Sequence, residues 1–293
     1  MSGLFDQTYQ PWTGTLQPRP FRFLAITWTG VINTWRRSPV ALLICGGIAM
    51  LFSLPNAFIG MMMPALSDPA FVVSAALSSS MTWTFLLIMP VVGSGLIAND
   101  VKHNALLMYF SKSIHRTDYV LGKAMTAAVF LFLPLLLAPM LAAGLGLYSL
   151  GDLATTAYSC KLFLGLMACA PIAALPGIAV VMAFSSCTKR TFLAGTGWVV
   201  LYLVLESVSS ILSAAAKLKW GYLLSISSNV FRVAKEILPA APTQMKLDGM
   251  DEAMKQSLET PYSAWYSAGI LAGVFIIGLS IVIWRIANAE RRS

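Results

Sequence analysis

The chain has 293 residues, of which 57% are hydrophobic and only 11% are charged. In soluble domains about a quarter of all residues are charged, so this composition excludes an ordinary soluble enzyme and a disordered chain. The formal net charge of +8 would suggest nucleic-acid binding in a soluble protein. Apolar runs of about 20 residues recur along the chain, however, and predict an all-α polytopic membrane protein. We therefore expect the basic residues to flank membrane spans and to meet lipid, not nucleic acid.

The N-terminal part of the chain predicts a tail followed by an interfacial helix. Residues 1–20 are polar and lack the apolar segment of a signal peptide, so we expect a cytoplasmic tail and an uncleaved first span. Residues 21–38 are predicted to form an amphipathic elbow helix in the plane of the membrane, because tryptophans and arginines favour that interface. A cytoplasmic helix packed on a partner is the alternative. The apolar residues at helical spacing are Phe21, Leu24, Trp28, Val31, Ile32 and Trp35.

The apolar runs predict a transmembrane domain of six helices over residues 39–293. Thirteen of the twenty Lys and Arg residues fall on the side of the two termini, which predicts that both termini are cytoplasmic. Residues 214–263 form the one sizeable segment outside the membrane, where we expect short helices at the outer surface. The predicted spans are residues 40–63, 81–98, 120–148, 162–184, 192–213 and 264–286.

The sequence carries no motif of an enzyme. The phosphate-binding pattern G-x-x-x-x-G-K-[ST] is absent, so we expect no ATP hydrolysis by this chain and no cofactor bound to it. Residues 93–95 (Gly-Ser-Gly) resemble the setting of a serine nucleophile, but His103 and His115 lie beyond the span. Small residues that let helices approach closely are the better explanation. The four cysteines form no C-x-x-C pair and are predicted to be buried apolar side chains.

Several methionines raise the question of a soft-metal site. Residues 61–63 are all methionine, and Met81 and Met89 follow in the next span. Thioethers suit Cu(I), but methionine is also an ordinary filler of apolar cores. No metal site is predicted, and a copper-linked permease is kept as an alternative function.

The connection between the second and third predicted spans is apolar although the predicted topology places it in the cytosol. An acidic residue ends the second span, and a short predicted helix with an apolar core follows it. Exposed apolar helices mark protein interfaces, so this connection is predicted to contact a partner. The candidate interface residues are Asp100, Ala105, Leu106, Leu107, Phe110 and Arg116.

This connection resembles the first intracellular loop of type-2 ABC transporter permeases, which reads as an acidic residue, then GTL-x-LL-S-x-P, then R-x-x-Y-V-L-G-K. The sequence departs from that pattern at Asp100, where Glu is usual, at Asn104–Ala105 in place of Gly-Thr, and at Ile114, where Pro is common. The matching residues are Asp100, Ala105, Leu106, Leu107, Ser111, Arg116, Tyr119, Val120, Leu121, Gly122 and Lys123.

The resemblance extends to the architecture of elbow helix, six spans and outer segment. It implies that residues 100–116 form a coupling helix seated on a separate ATPase subunit, which binds the ATP and Mg²⁺. It also implies a second, smaller contact at residues 185–190.

Glu206 is the only acidic residue within the predicted spans. A carboxylate in lipid is costly, so its face of the helix is predicted to point into protein or into a water-filled path. Two interpretations remain open, the lining of a translocation path and a seam of hydrogen bonds between helices. The residues on that face, by helical spacing, are Tyr202, Ser209, Ser210 and Ser213.

The resemblance implies the transmembrane permease subunit of an ATP-driven exporter in a bacterial inner membrane. A second permease subunit would pair with it through the first and fifth spans, and two ATPases would bind below. The main alternative is a membrane anchor or assembly scaffold without a transport path of its own. A secondary transporter would show inverted repeats and several intramembrane ionisable residues, and we find neither.

Overall fold

The computed structural model of the chain describes residues 21–62, 69–103, 105, 114–150, 156–214, 219–239 and 263–291. Within these ranges the chain is almost entirely helical and contains no strand, so the predicted all-α class is confirmed. The predicted tail at residues 1–20 lies outside them. The helices with defined bounds are α1 (Arg22–Arg37), α2 (Pro39–Met62), α3 (Pro69–Gly93), α4 (Ala98–Lys102), α5 (Arg116–Leu150), α6 (Thr156–Cys187), α7 (Thr191–Ala214), α8 (Ile226–Ile237) and α9 (Ala264–Arg291).

Five stretches are long and apolar enough to cross a membrane, namely α3 continued through α4 (Ala70–Lys102), α5, α6, α7 and α9. Helices α1 and α2 pass the same test only when they are taken together. They meet at a bend of 91°, so the pair counts as at most one broken span. The chain is thus an integral membrane protein with five continuous candidate spans in its described part. The predicted first span at 40–63 coincides with α2.

Helix α6 is the centre of the bundle. In its most apolar stretch 67% of the residues are buried within the protein, compared with 22% in α7 and in α9. A Cβ on Gly278 of α9 would lie 2.8 Å from the backbone carbonyl carbon of Ala179 in α6. A Cβ on Gly177 of α6 would overlap the ring of Phe85 in α3. Glycine at these two positions therefore lets α9 and α3 approach α6 closely.

Helix α3 begins at Pro69, twelve residues before the start predicted at 81, and that prediction is wrong. The serines before residue 81 lower the hydropathy and resemble a loop, but Ser74, Ser78 and Ser80 satisfy their hydroxyls within the protein. Ser74 and Ser80 donate to backbone carbonyls three residues earlier, at 2.8 and 3.0 Å. Ser78 donates to the carbonyl of Ser227 in α8 at 3.3 Å. Hydroxyls bonded in this way are compatible with a helix inside the bundle.

Helix α1 packs along α5 and exposes an aromatic stripe on its other side. Thr27 Oγ1 donates to the carbonyl of Gly122 at 3.1 Å, and Thr126 Oγ1 donates to the carbonyl of Thr27 at 3.4 Å. The helix is amphipathic, but Val31 and Ile32 are half-buried and do not share the exposed face. The exposed apolar side chains are Phe21, Leu24, Trp28 and Trp35.

The segment after α7 enters the bundle instead of lying wholly on its surface. A 3₁₀ turn at Lys219–Leu224 leads into α8, which packs against α3, α6 and α9. Helix α8 is amphipathic, and one side is buried, including Asn229 and Arg232. The expectation of short helices is met at residues 219–237, whereas residues 240–262 lie outside the described ranges and the placement at the outer membrane surface stays a prediction.

The cysteines are free thiols, and two of them are exposed. Cys169 is buried and Cys45 is half-buried, as expected for apolar side chains within spans. Cys160 and Cys187, near the two ends of α6, are exposed, so the prediction that all four are buried is wrong. Side chains near the ends of a helix have fewer packed neighbours, and an apolar run in the sequence does not reveal this.

Candidate functional site

The predicted interface begins at a break between α3 and α4. Residues 94–97 form a turn there, and Ser185 of α6 binds it. Ser185 Oγ accepts hydrogen bonds from the backbone N–H groups of Ile97 and Ala98 at 3.0 and 2.9 Å. The same hydroxyl donates to the carbonyl of Ser94 at 3.1 Å. The first N–H groups of a helix have no partner within it, so Ser185 caps α4 from another helix and fixes its start to α6.

Asp100 joins α4 to α5. The Tyr119 hydroxyl donates to Asp100 Oδ2 at 2.7 Å, and Lys123 Nζ lies 2.7 Å from the same oxygen. The side chains of Lys123 and Asp100 are 12% and 15% exposed, so water screens this ion pair only weakly. Lys123 Nζ also lies 5.6 Å from the centre of the Tyr119 ring. We call Asp100, Tyr119 and Lys123 the Asp100 cluster.

Glycines bring further elements to the Asp100 cluster. A Cβ on Gly122 would lie 2.8 Å from Cβ of Ile26 in α1, so glycine is needed for the contact between α5 and α1. A Cβ on Gly95 would lie 2.6 Å from Nη1 of Arg37, at the end of α1. Helices α1, α4, α5 and α6 therefore meet at one end of the bundle, which we call the α4 end.

Several of the basic residues that predicted the topology lie at the α4 end, among them Arg37 and Lys123. Arg285 Nη2 of α9 donates to the carbonyl of Cys187 at 3.3 Å, at the C-terminus of α6. A cation at this position is favoured by the helix dipole and by the carbonyls that lack partners within the helix. Lys189 and Arg190 follow at once and are exposed. In the predicted second contact at 185–190, Ser185 is thus buried and structural, whereas its last two residues are accessible.

The predicted interface residues are only partly described. Asp100 belongs to the cluster above, Ala105 is helical and half-buried, and Arg116 is exposed at the first residue of α5. Leu106, Leu107 and Phe110 lie outside the described residues. The contact of residues 100–116 with a partner stays a prediction.

Glu206 lies toward the opposite end of the bundle, which we call the α8 end, and binds the start of α8. Ser225 Oγ and Ser227 Oγ donate to Glu206 Oε2 at 2.7 and 3.0 Å, and the Ser227 N–H donates to Oε1 at 3.2 Å. Ser225 also caps α8, because its hydroxyl accepts the N–H of Ser228 at 2.9 Å. A carboxylate at a helix N-terminus gains from charge-assisted hydrogen bonds and from the helix dipole. Glu206 therefore anchors α8 to α7.

Tyr202 binds the same face of α7 to α3. It is 1% exposed, and its hydroxyl donates to Oγ1 of Thr82 at 3.2 Å. The indole N–H of Trp198 donates to the carbonyl of Phe85 at 2.8 Å, and the Trp198 and Tyr202 rings stack with centres 5.7 Å apart. This part of the predicted path face is therefore packed within the chain.

The three serines predicted to share the face of Glu206 do not all point in the same direction. Ser209 is buried, and Ser213 is half-buried and donates to the Ser209 carbonyl at 2.7 Å. Ser210 is exposed and donates to the carbonyl of Ser207 at 2.9 Å. Ser209 and Ser213 thus turn toward the protein, as Tyr202 does, whereas Ser210 points outward.

The sequence patterns missed Ser185, Ser225 and Ser227 as partners at these sites. A signal existed for Ser225, because a serine directly before an amphipathic helical pattern is an N-cap signature, and a lone carboxylate in a span requires donors. Ser185 carries no such signal, since its partners lie almost 90 residues earlier in the chain.

Metal ligation finds little support in the described ranges. They hold no group of three or more His, Cys, Asp or Glu residues that could bind a metal ion. Met81 and Met89 are fully buried, and the side chains of residues 61–63 are not described.

The sequence matches no family model and no curated protein. Its function is therefore inferred from the residues and their geometry.

Proposed function

We propose that this chain is the transmembrane permease subunit of a type-2 ABC exporter, acting as a dimer and driven by separate ATPase subunits. The observation that carries the proposal is the Asp100 cluster. Its three residues belong to the pattern that resembles the coupling loop, and they meet in space across a gap of 18 residues in the chain. The pattern thereby gains a physical reason, because Tyr119 and Lys123 share one face of α5 and hold the acidic residue that ends the second span.

The cluster also supplies a way to transmit force. Helix α4 is capped by Ser185 of α6 and tied through Asp100 to α5, so a push on residues 103–115 acts on α3, α5 and α6 together. Closure of an ATPase dimer beneath this loop would shift the bundle between two packed states and alternate access to the path. ATP and Mg²⁺ are assigned to that partner, because this chain lacks a Walker sequence.

We infer six spans, with the α4 end in the cytoplasm of a bacterial inner membrane. The 91° bend before α2 supports an elbow helix that lies along the membrane surface, with Trp28 and Trp35 exposed toward lipid. The exposed Trp265 and Trp284 of α9 are 19 residues apart, which spans about 28 Å of helix and matches a hydrocarbon core of about 30 Å. The basic residues at the α4 end support a cytoplasmic placement of that end.

The second permease subunit is assigned to the exposed faces of α2 and α7. In α7 only 22% of the most apolar stretch is buried within the chain. In α2, a Cβ added to Gly46 or Gly47 would meet nothing within 4 Å, which leaves room for close approach of another helix. These features support the pairing through the first and fifth spans.

Affinity purification of the full chain from its native membrane tests the proposal. We expect an ATPase subunit with a Walker sequence to co-purify in a fixed ratio and the purified complex to hydrolyse ATP. Recovery of the chain in native form without any ATPase would overturn the proposal.

A scaffold without its own path is the second candidate, and one observation favours it. The polar atoms of Glu206 and Tyr202 form hydrogen bonds with α8 and α3 of the same chain, as expected for a seam between helices. Glu206→Gln separates the two functions, because the amide retains hydrogen-bonding capacity but loses the charge. A path role predicts lower transport or substrate-stimulated ATP hydrolysis in the reconstituted complex. Wild-type transport by Glu206→Gln would instead support the seam.

A further inference from the structure

A cavity of about 560 Å³ lies between α6, the second half of α8 and the start of α9. Its size falls within the range of about 300–1,000 Å³ that is typical of small-molecule sites. Charged side chains line it on α8, namely Arg232, Lys235 and Glu236, whereas the walls from α6 and α9 include Ile172, Trp265 and Ala268. It is separate from the Asp100 cluster, which lies at the other end of the bundle.

Aromatic side chains place the mouth of the cavity at a membrane boundary. Trp265 lines it and is 84% exposed, and the neighbouring Tyr266 is also exposed. Trp and Tyr concentrate where hydrocarbon meets lipid headgroups. A molecule in this cavity would therefore lie at headgroup depth, in the outer leaflet for the orientation proposed above.

The charges favour an anion. Among the described residues that line the cavity, Arg232 and Lys235 outnumber Glu236, so these residues together carry a net positive charge. Arg232 is only 6% exposed, and its guanidinium lies 5.7 Å from the centre of the Tyr222 ring. Arg232 thus places a largely buried positive charge at the cavity, and guanidinium groups suit phosphate oxygens. Lys235 is exposed and adds a mobile second cation.

We propose that this cavity binds the headgroup of an anionic phospholipid from the surrounding leaflet. The apolar walls favour a lipid over a free phosphate ion, because Ile172 and Ala268 offer contacts to the carbon atoms of a lipid that a bare phosphate lacks. Beyond the mouth, α9 exposes apolar side chains such as Ile276 and Ile277, along which acyl chains would lie. The inference does not depend on the ATPase partner, since it concerns the lipid contact of this chain alone.

Lipid binding to the purified full chain in detergent tests the inference. Native mass spectrometry would give the Kd for dioctanoylphosphatidylglycerol, for dioctanoylphosphatidylcholine and for inorganic phosphate. One net charge at a membrane surface changes affinity by about fivefold, so we expect at least that preference for the anionic lipid. Lys235→Gln should weaken its binding by about the same factor, and Lys235→Arg should retain it.

Lys161→Gln is the matched control, because Lys161 is exposed near the start of α6 and does not line the cavity. Since Lys235 is also exposed, its replacement leaves the packed core intact. Equal binding of the two lipids, or unchanged binding by Lys235→Gln, would overturn the inference. Binding of inorganic phosphate as tight as that of phosphatidylglycerol would overturn the assignment to a lipid.

Discussion

Ser185 and Glu206 have similar roles toward opposite ends of the bundle, because each accepts hydrogen bonds, including at least one from a backbone N–H, at the start of a short helix elsewhere in the chain. Ser185 accepts two N–H groups where α4 begins, and Glu206 accepts an N–H and two hydroxyls where α8 begins. Buried N–H groups without partners cost about 1–3 kcal/mol each, so both side chains hold an otherwise unfavourable helix start inside the protein. These two contacts thus connect the spans to the segments that follow them.

Ser185→Ala should destabilise the protein by about 2–4 kcal/mol, because two buried N–H groups lose their acceptor. Thermal unfolding in detergent, together with the rate of tryptic cleavage after Lys102 in α4, measures the effect. The adjacent Ser186→Ala is the control, since the Ser186 hydroxyl contacts only its own helix, at the Ala183 carbonyl (2.8 Å) and at Cys187 Sγ (4.0 Å). Equal unfolding temperatures for the two variants would contradict the capping role of Ser185.

At the scale of helices, the apolar runs predicted α5, α6, α7 and α9 because each is continuous in hydropathy. They failed at the start of α3, where hydroxyls such as that of Ser80 are satisfied by carbonyls in α3 and α5. The entry of α8 into the bundle was not predictable for the same reason. Its start is bound by other helices, because Glu206 of α7 accepts the Ser227 N–H at 3.2 Å and the Ser227 carbonyl accepts the hydroxyl of Ser78 in α3 at 3.3 Å, and hydropathy represents neither contact. Local sequence therefore predicted elements, whereas polar contacts between distant segments decided where they pack.

Gly122→Ala should loosen α1 from α5. Alanine normally stabilises a helix by about 0.5–1 kcal/mol relative to glycine, but here its Cβ would lie 3.0 Å from the Phe23 carbonyl oxygen and closer still to Ile26. Overpacking of this kind costs about 1–3 kcal/mol, so the net effect is a lower unfolding temperature.

Gly144→Ala in the same helix is the control for this prediction. A Cβ at Gly144 meets nothing within 4 Å, so the variant should be neutral or slightly stabilised. A Gly122→Ala protein as stable as the Gly144→Ala protein would show that α1 is not closely packed on α5.

At the scale of the whole molecule, the two exposed cysteines report the orientation of α6. Cys160 lies near the α8 end and Cys187 at the α4 end. With the α4 end cytoplasmic, a membrane-impermeant maleimide added to intact cells should label Cys160 and spare Cys187 until the cells are permeabilised. Single Cys160→Ala and Cys187→Ala variants assign the label. Labelling of Cys187 from outside intact cells would contradict the orientation.

Attachment of an ATPase to residues 100–116 is the central claim, and co-purification of that subunit with Leu107→Asp and Phe110→Asp variants tests it most directly. A charge buried at an apolar interface without a partner costs about 3–5 kcal/mol. The amount of ATPase recovered with each variant should therefore fall at least about tenfold, while the amount of the variant chain in the membrane stays unchanged. Tyr148→Asp, at the far end of α5, is the control, because Tyr148 is 79% exposed there and should leave the ATPase bound. Wild-type recovery of the ATPase with both loop variants would contradict the account.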